Sequence, residues 1–323
     1  MKYIFGPVPS RRLGLSLGVD LVPLKTCTFD CVYCELGRTT HKTIERREYH
    51  PVAVIIQELQ AYFDQAEVLP DYVTLAGSGE PTLNIGLGEI IKAVKQLTPV
   101  PVAVLTNGSL FFRPEVREGL VKADLVLPSL DSASPGIFRA INRPVAALDL
   151  EQIIAGQEAF RQEFKGQIWL EILLLRGIND DQAELEKMRQ VIARLRPERV
   201  QLNTAVRPVV EDYAVPLTPE QLLAAAAFLG EGVEVIAEFD PATHAKLALS
   251  DADFLETLAR RPMTAQNLAE ILALPLPEVL KRLNQLKNQG LISYSLHHHQ
   301  GFYFYPRSRF PQSPSPEIEK GKS

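Results

Sequence analysis

The sequence predicts an α/β protein: an open or partial (β/α)6 barrel over about residues 15–240, followed by a small winged helix-turn-helix domain. Three observations predict it. Short, near-continuous apolar runs recur, as expected of strands buried on both faces of a parallel sheet. Helical patterns alternate with them at the spacing of βα repetition. After Asp240-Pro241 that rhythm stops and a different pattern begins. With 323 residues, the chain is long enough for two domains of roughly 150 residues each. The expected division is 1–245 for the barrel with an N-terminal extension, 246–306 for the winged helix and 307–323 for a disordered tail.

In chain order, the strand runs are 18–22, 72–76, 102–106, 124–128, 168–175 and 200–206, with 233–239 as a seventh candidate. The helical patterns lie at 52–63, 87–97, 115–122, 148–164, 182–195 and 219–229. Thr218-Pro219-Glu220 is a start signal, an N-cap followed by proline at the first helical position. Six or seven such units fall short of the eight that close a barrel. Beyond them, 251–260 and 264–274 read as short amphipathic helices. A longer one at 277–289 has apolar positions Val279, Leu280, Leu283 and Leu286, and Gly290 stops it. Runs 291–296 and 301–305 read as a hairpin around the solvated histidines 297–299. Three helices and a wing make the winged helix. Lys281, Arg282, Asn284, Gln285 and Lys287 on its third helix offer a nucleic-acid face, and a protein-docking role stands equally open.

Composition narrows the classes. A hydrophobic fraction of 46% and a charged fraction of 23% are ordinary for a globular chain and exclude disordered, collagenous and disulfide-stapled architectures. A net charge of −5 gives no general affinity for polyanions. The longest apolar run, 222–229, is far below the ~18–20 residues of a membrane span, and the N-terminus has no hydrophobic signal core. A cytoplasmic protein without membrane contact is expected. All three cysteines lie between positions 27 and 34, which points to metal or redox chemistry and away from disulfides.

Those cysteines are spaced C-x3-C-x2-C: Cys27, Cys31 and Cys34. Thiolates so placed can each take one iron of a four-iron cubane, leaving the fourth iron open to a small molecule. The bland alternative is a structural zinc site with His41 as fourth ligand.

The run resembles the signature of the radical S-adenosylmethionine (radical SAM) enzymes. The resemblance covers most of residues 15–206 and is nearest in look to the wyosine-synthase-like and molybdenum-cofactor-protein-A-like group, here with one cluster. It implies a [4Fe-4S] cluster on Cys27, Cys31 and Cys34, whose open iron chelates S-adenosyl-L-methionine (SAM). Reductive cleavage of SAM would give a 5′-deoxyadenosyl radical that abstracts hydrogen from a substrate. A reduced flavodoxin or ferredoxin-type donor is implied as partner.

Further motifs carry the resemblance. Tyr33 matches the aromatic beside the adenine. Gly77-Ser78-Gly79-Glu80-Pro81 resembles the family's G-G-E-P, where the backbone and the glutamate receive the methionine ammonium; Ser78 is a departure. Thr106-Asn107-Gly108 and Ser129-Leu130-Asp131 resemble the third- and fourth-strand segments, the latter with a serine meeting ribose or carboxylate. Arg176-Gly177-Ile178-Asn179-Asp180-Asp181 resembles the run after the fifth strand. Gly77, Gly79, Glu80, Thr106, Asn107, Ser129 and Asp131 are thereby implied as SAM contacts. Each motif falls at the C-terminal end of an expected strand, the rim where βα architectures build their sites. Taken alone, the glycines and Thr106-Asn107-Gly108 would read equally well as turns.

Glu171, a further cofactor-binding candidate, interrupts an apolar strand, either as a site residue in the barrel or as a salt-bridge partner. Gln201, Asn203, Arg207 and Arg143 are candidate substrate groups, as are Arg139 and the pair Arg11-Arg12. Lys25, beside the cysteine run, reads as a solvated loop lysine. Three cysteines allow one cluster and no spare thiol. The reactions left are hydrogen abstraction with rearrangement, cleavage or coupling on an RNA base, a metabolite or a protein. A glycyl-radical activase and an iron–sulfur or zinc-sensing DNA-binding regulator without turnover are the alternatives.

Overall fold

The computed structural model describes residues 1–10, 12–207, 209–236, 251–260, 262–271, 274, 276–297 and 300–306. β1 (Ile4–Ser10) and β2 (Gly14–Val19) form an antiparallel hairpin. A loop follows, pinned by two short paired strands, β3 (Thr26–Cys27) and β4 (His41–Lys42). The βα rhythm then runs α1 (Val52–Gln65), β5 (Tyr72–Leu75), α2 (Leu87–Leu97), β6 (Val102–Thr106), α3 (Pro114–Leu120) and β7 (Leu125–Pro128). It continues through α4 (Pro135–Asn142), α5 (Leu150–Glu163), β8 (Gln167–Leu174), α6 (Gln182–Leu195), β9 (Arg199–Thr204), α7 (Pro219–Leu229) and β10 (Val233–Val235).

These strands make one eight-stranded sheet, ordered β1-β2-β5-β6-β7-β8-β9-β10. Every pairing after the first hairpin is parallel. One face, with Val73, Leu75, Val104 and Leu170, packs on the helices through residues such as Ile55, Ile90 and Phe160. The other face carries its own apolar layer of Leu13, Ala103, Leu125, Leu127 and Trp169. Burial on both faces is why the strands read as continuous apolar runs.

The sheet is curled. On a flat sheet β2 and β8 would stand about 19 Å apart, four spacings of about 4.8 Å. Yet Arg12, just ahead of β2, reaches Glu171 on β8 at 2.7 Å, across the concave face. The architecture is the partial barrel that the sequence predicts.

The differences are local. The first parallel strand is Gly14–Val19, four residues earlier than the apolar run 18–22 suggests. β1 was hidden by Pro7 and Pro9, which an edge strand tolerates because it need not donate on both sides. α4 is a further helix between the expected 115–122 and 148–164 patterns; Ser134-Pro135 is the start signal that marks it.

The C-terminal described residues form α8 (Asp251–Arg260), β11 (Met263–Thr264), α9 (Ala265–Ile271), α10 (Leu276–Asn288), β12 (Ser293–His297) and β13 (Gln300–Phe304). Their sheet is ordered β11-β13-β12, and Phe254, Leu258, Leu268, Val279, Leu283 and Leu286 form a separate core. Leu280, expected among the apolar positions, is exposed instead. The expected domain boundary at 245, the strand end at 237–239, two of the three histidines and the tail 307–323 lie outside the described residues. No helix among the described residues is long and apolar enough to cross a membrane.

Candidate active site

The site is built on the loop between β2 and α1. The pairing of β3 with β4 closes the loop at its base, with Thr26 opposite His41 and Cys27 opposite Lys42. Buried Phe29 and Val32 anchor it inward, and the amides of Asp30 and Val32 donate to the carbonyls of Asn142 and Ile141 at the end of α4. Turns close on the cysteines themselves: the Cys34 amide donates to the Cys31 carbonyl, and the Gly37 amide to that of Cys34.

Each thiol sulfur faces a side-chain N–H donor. Asn107 Nδ2 is 3.6 Å from Cys27 Sγ, Asn142 Nδ2 is 3.5 Å from Cys31 Sγ, and Lys25 Nζ is 3.0 Å from Cys34 Sγ. Burial pushes the Cys27 thiol up to about 12, with the Glu80 carboxylate adding to the effect. Burial, then Asp131, push Cys31 well above the usual thiol range. Left alone, these would be neutral thiols, for which an N–H partner gains little. Donors aimed at all three sulfurs suit thiolates held deprotonated by metal. No three His, Cys, Asp or Glu groups among the described residues converge on one metal ion. A single zinc would need such convergence, whereas a cubane gives each sulfur its own iron. The residues therefore fit a [4Fe-4S] cluster.

The neighbouring rim is tied to this loop. Asp20, just after β2, accepts from the Ser78 amide at 2.6 Å and the Ser78 hydroxyl at 2.8 Å, which gives the serine in this motif a structural reason. Gly77 adopts φ +136°, and a Cβ there would overlap the Asp20 carboxylate. At Gly79 a Cβ would overlap the Thr26 carbonyl oxygen, which accepts the Glu80 amide at 3.1 Å. The glycines let the loop after β5 lie directly on the cysteine loop.

Glu80 is 2% exposed, and burial raises its carboxyl against the pull of its donors. Its Oε1 accepts from the Thr82 amide and hydroxyl and from Thr106 Oγ1, and its Oε2 from the Asn107 amide. The Glu80 carboxylate thus joins the ends of β5 and β6. The Thr106 hydroxyl is engaged inside that network.

Asp131 has the corresponding role at the end of β7. It accepts from the Tyr33 hydroxyl, from Asn142 Nδ2 at 2.6 Å and from the Leu173 amide at 3.0 Å, and burial raises its carboxyl. Tyr33, Asp131 and Asn142 thereby connect the cysteine loop to β7, α4 and β8. Asn179 donates to the carbonyls of Asp131 and Leu173, which explains its motif structurally. A shallow, partly open cleft beside the loop is lined by Phe29, Asn107, Ser129, Asp131, Phe138 and Asn142.

The remaining candidates divide. Glu171 is on the concave face, paired with Arg12 and 3.4 Å from Asn203 Nδ2. Gln201, opposite Glu171 on β9, is buried with Oε1 unsatisfied among the described residues. Arg207 and Arg143 are committed to carboxylates: Arg207 to Glu35 at 3.0 Å, and Arg143 to Glu211 at 2.7 Å. Lys25, read as solvated, is 6% exposed. Its burial and the donor role of Asn142 were not visible in the linear sequence, because both depend on loops meeting in space.

Residues 21–188 match the profile described as the Radical SAM superfamily. The chain belongs to the radical SAM superfamily. It is 34% identical over 278 residues to a UPF0026 protein of Methanocaldococcus jannaschii, covering 84% of this chain and 86% of that one. It is 38% identical over 273 residues to the GTPase Obg of Brachyspira hyodysenteriae, covering 83% of this chain but only 40% of that one. A radical SAM methyltransferase from Sphaerobacter thermophilus shares the fold at a TM-score of 0.52 and 14% identity, over 69% of this chain and 66% of that one. The protein is an enzyme whose cofactors are a [4Fe-4S] cluster and SAM, and enzymes of the superfamily need a reductant.

Proposed function

We propose that the protein cleaves SAM reductively and uses the resulting radical to abstract hydrogen from a substrate held on the concave face of the sheet. The observation that supports this most is the set of three sulfurs, each met by an N–H donor, at the rim where β5, β6 and β7 end. When bound, the cluster supplies the electron for SAM cleavage. Cys27, Cys31 and Cys34 hold it, and Asn107 and Asn142 steady the first two sulfurs. The backbone of Gly77–Glu80, with the one-donor oxygen of Glu80, receives the methionine ammonium, and Ser129 meets the ribose or carboxylate. Tyr33, fixed by Asp131, borders the adenine. Gln201, Asn203 and the Arg12–Glu171 pair are the groups offered to substrate.

On this proposal the enzyme works in the cytoplasm and takes its electron from a flavodoxin- or ferredoxin-type donor. The element order α8, β11, α9, α10, β12, β13 supports a winged helix. Lys281, Asn284, Gln285 and Lys287 are exposed along α10, which favours nucleic acid as what it contacts. Anaerobic reconstitution tests the chemistry: about 4 iron per chain and 5′-deoxyadenosine on reduction with SAM are expected. Label moved from a candidate substrate into deoxyadenosine would identify the substrate. Iron-loaded protein that forms no deoxyadenosine would refute the reading.

A further inference from the structure

Lys25 holds a position that the cofactor chemistry above does not use. It lies two residues before Cys27, in left-handed backbone with φ 60°, a conformation that costs an L side chain free energy. Its amide donates to the Ser78 carbonyl at 2.7 Å, and its own carbonyl accepts the His41 amide at 3.1 Å. Two neighbouring segments thus hold the strained residue and turn its side chain inward. The residue is 6% exposed, and its ammonium donates to Cys34 Sγ at 3.0 Å.

A buried ammonium needs a negative partner. Among the described residues no carboxylate is within ion-pair distance of Lys25. The negative charge it faces is therefore that of the cysteine sulfurs. The contrast with the other two is informative: Cys27 and Cys31 receive neutral amide donors at 3.6 and 3.5 Å, and Cys34 receives a full positive charge at shorter range.

We propose that Lys25 is a positioning residue that sets the reduction potential of the cluster. The proposal rests on the assignment of Cys34 as a cluster ligand. One-electron reduction adds a negative charge to a cluster that three thiolates already make anionic. A fixed cation at one sulfur stabilises the reduced form more than the oxidised form. Lys25 thus raises the midpoint potential of a cluster that burial among thiolates would drive down. This brings it within reach of a biological donor.

The test compares SAM-free, reconstituted wild type with Lys25→Met and Lys25→Arg, following the reduced cluster by electron paramagnetic resonance in a redox titration. Omitting SAM removes any contribution the lysine makes to binding it. Lys25→Met should disfavour reduction by roughly tenfold or more, ~59 mV for a one-electron couple, and Lys25→Arg should recover most of that shift. Full iron content in Lys25→Met with an unmoved midpoint would overturn the proposal. If Lys25→Met takes up no cluster, wild type grown with 15N-lysine decides. Its reduced cluster should show a 15N hyperfine coupling, and the absence of any lysine coupling would overturn the proposal. A wild-type chain that assembled no cubane would instead sink the cysteine assignment and this proposal with it, so the two failures are distinguishable.

Discussion

Single residues show where this site tolerates nothing else. A methyl group at Gly79 would meet the carbonyl oxygen of Thr26, which is backbone and cannot swing aside. Gly79→Ala should therefore cost about 1–3 kcal/mol in a urea melt and lower iron uptake, because the loop after β5 and the cysteine loop must separate. Asn142→Leu is a subtler probe. It strips one donor each from Asp131 and Cys31 while nearly keeping volume, leaving a buried carboxyl short of a partner. A loss of about 1–3 kcal/mol is expected, readable in the same melt. The cysteines and strand-end motifs were legible in sequence because they are contiguous. Lys25 was not: its burial follows from a left-handed backbone and from Ser78, more than fifty positions away in the chain.

At the scale of elements, the stretch after β9 acts as a strap over the cysteine loop. The Glu211 amide donates to the Val32 carbonyl, its carboxylate takes Arg38 and Arg143, and Arg207 reaches back to Glu35. Arg207 and Arg143 were legible as site-proximal arginines but not as clasps, because the carboxylates that claim them come from distant segments. Arg207→Ala should leave the fold intact and let a chelator strip iron several-fold faster, measured as loss of absorbance near ~400 nm. An unchanged stripping rate would remove the strap from the account. The helices were the most legible elements: α7 starts at the Thr218-Pro219 signal, with a capping box to Gln221. β1 was the least legible, since its prolines argue against a strand unless the strand is known to be an edge.

For the whole molecule, the curl of the sheet matters more than the number of its strands. It brings Arg12, in the turn of the first hairpin, to Glu171 on β8, with side chains 15% and 21% exposed. This pair tops the inner apolar layer and borders Gln201 and Asn203. Glu171→Gln should lower stability by about 1–3 kcal/mol by leaving Arg12 without its counter-charge, a shift visible in thermal or urea unfolding. The parallel order and the open barrel could be read from the alternation of runs, but the crossing of the concave face could not, since pattern carries no curvature.

SAM cleavage requires one iron left open for SAM beside the rim of β5, β6 and β7. Pulsed electron paramagnetic resonance on the reduced, reconstituted protein with SAM labelled by 15N at its amino group tests that directly. A 15N hyperfine coupling to the cluster, absent when unlabelled SAM is used, is the result predicted. An intact four-iron cluster showing no such coupling at saturating SAM would contradict it.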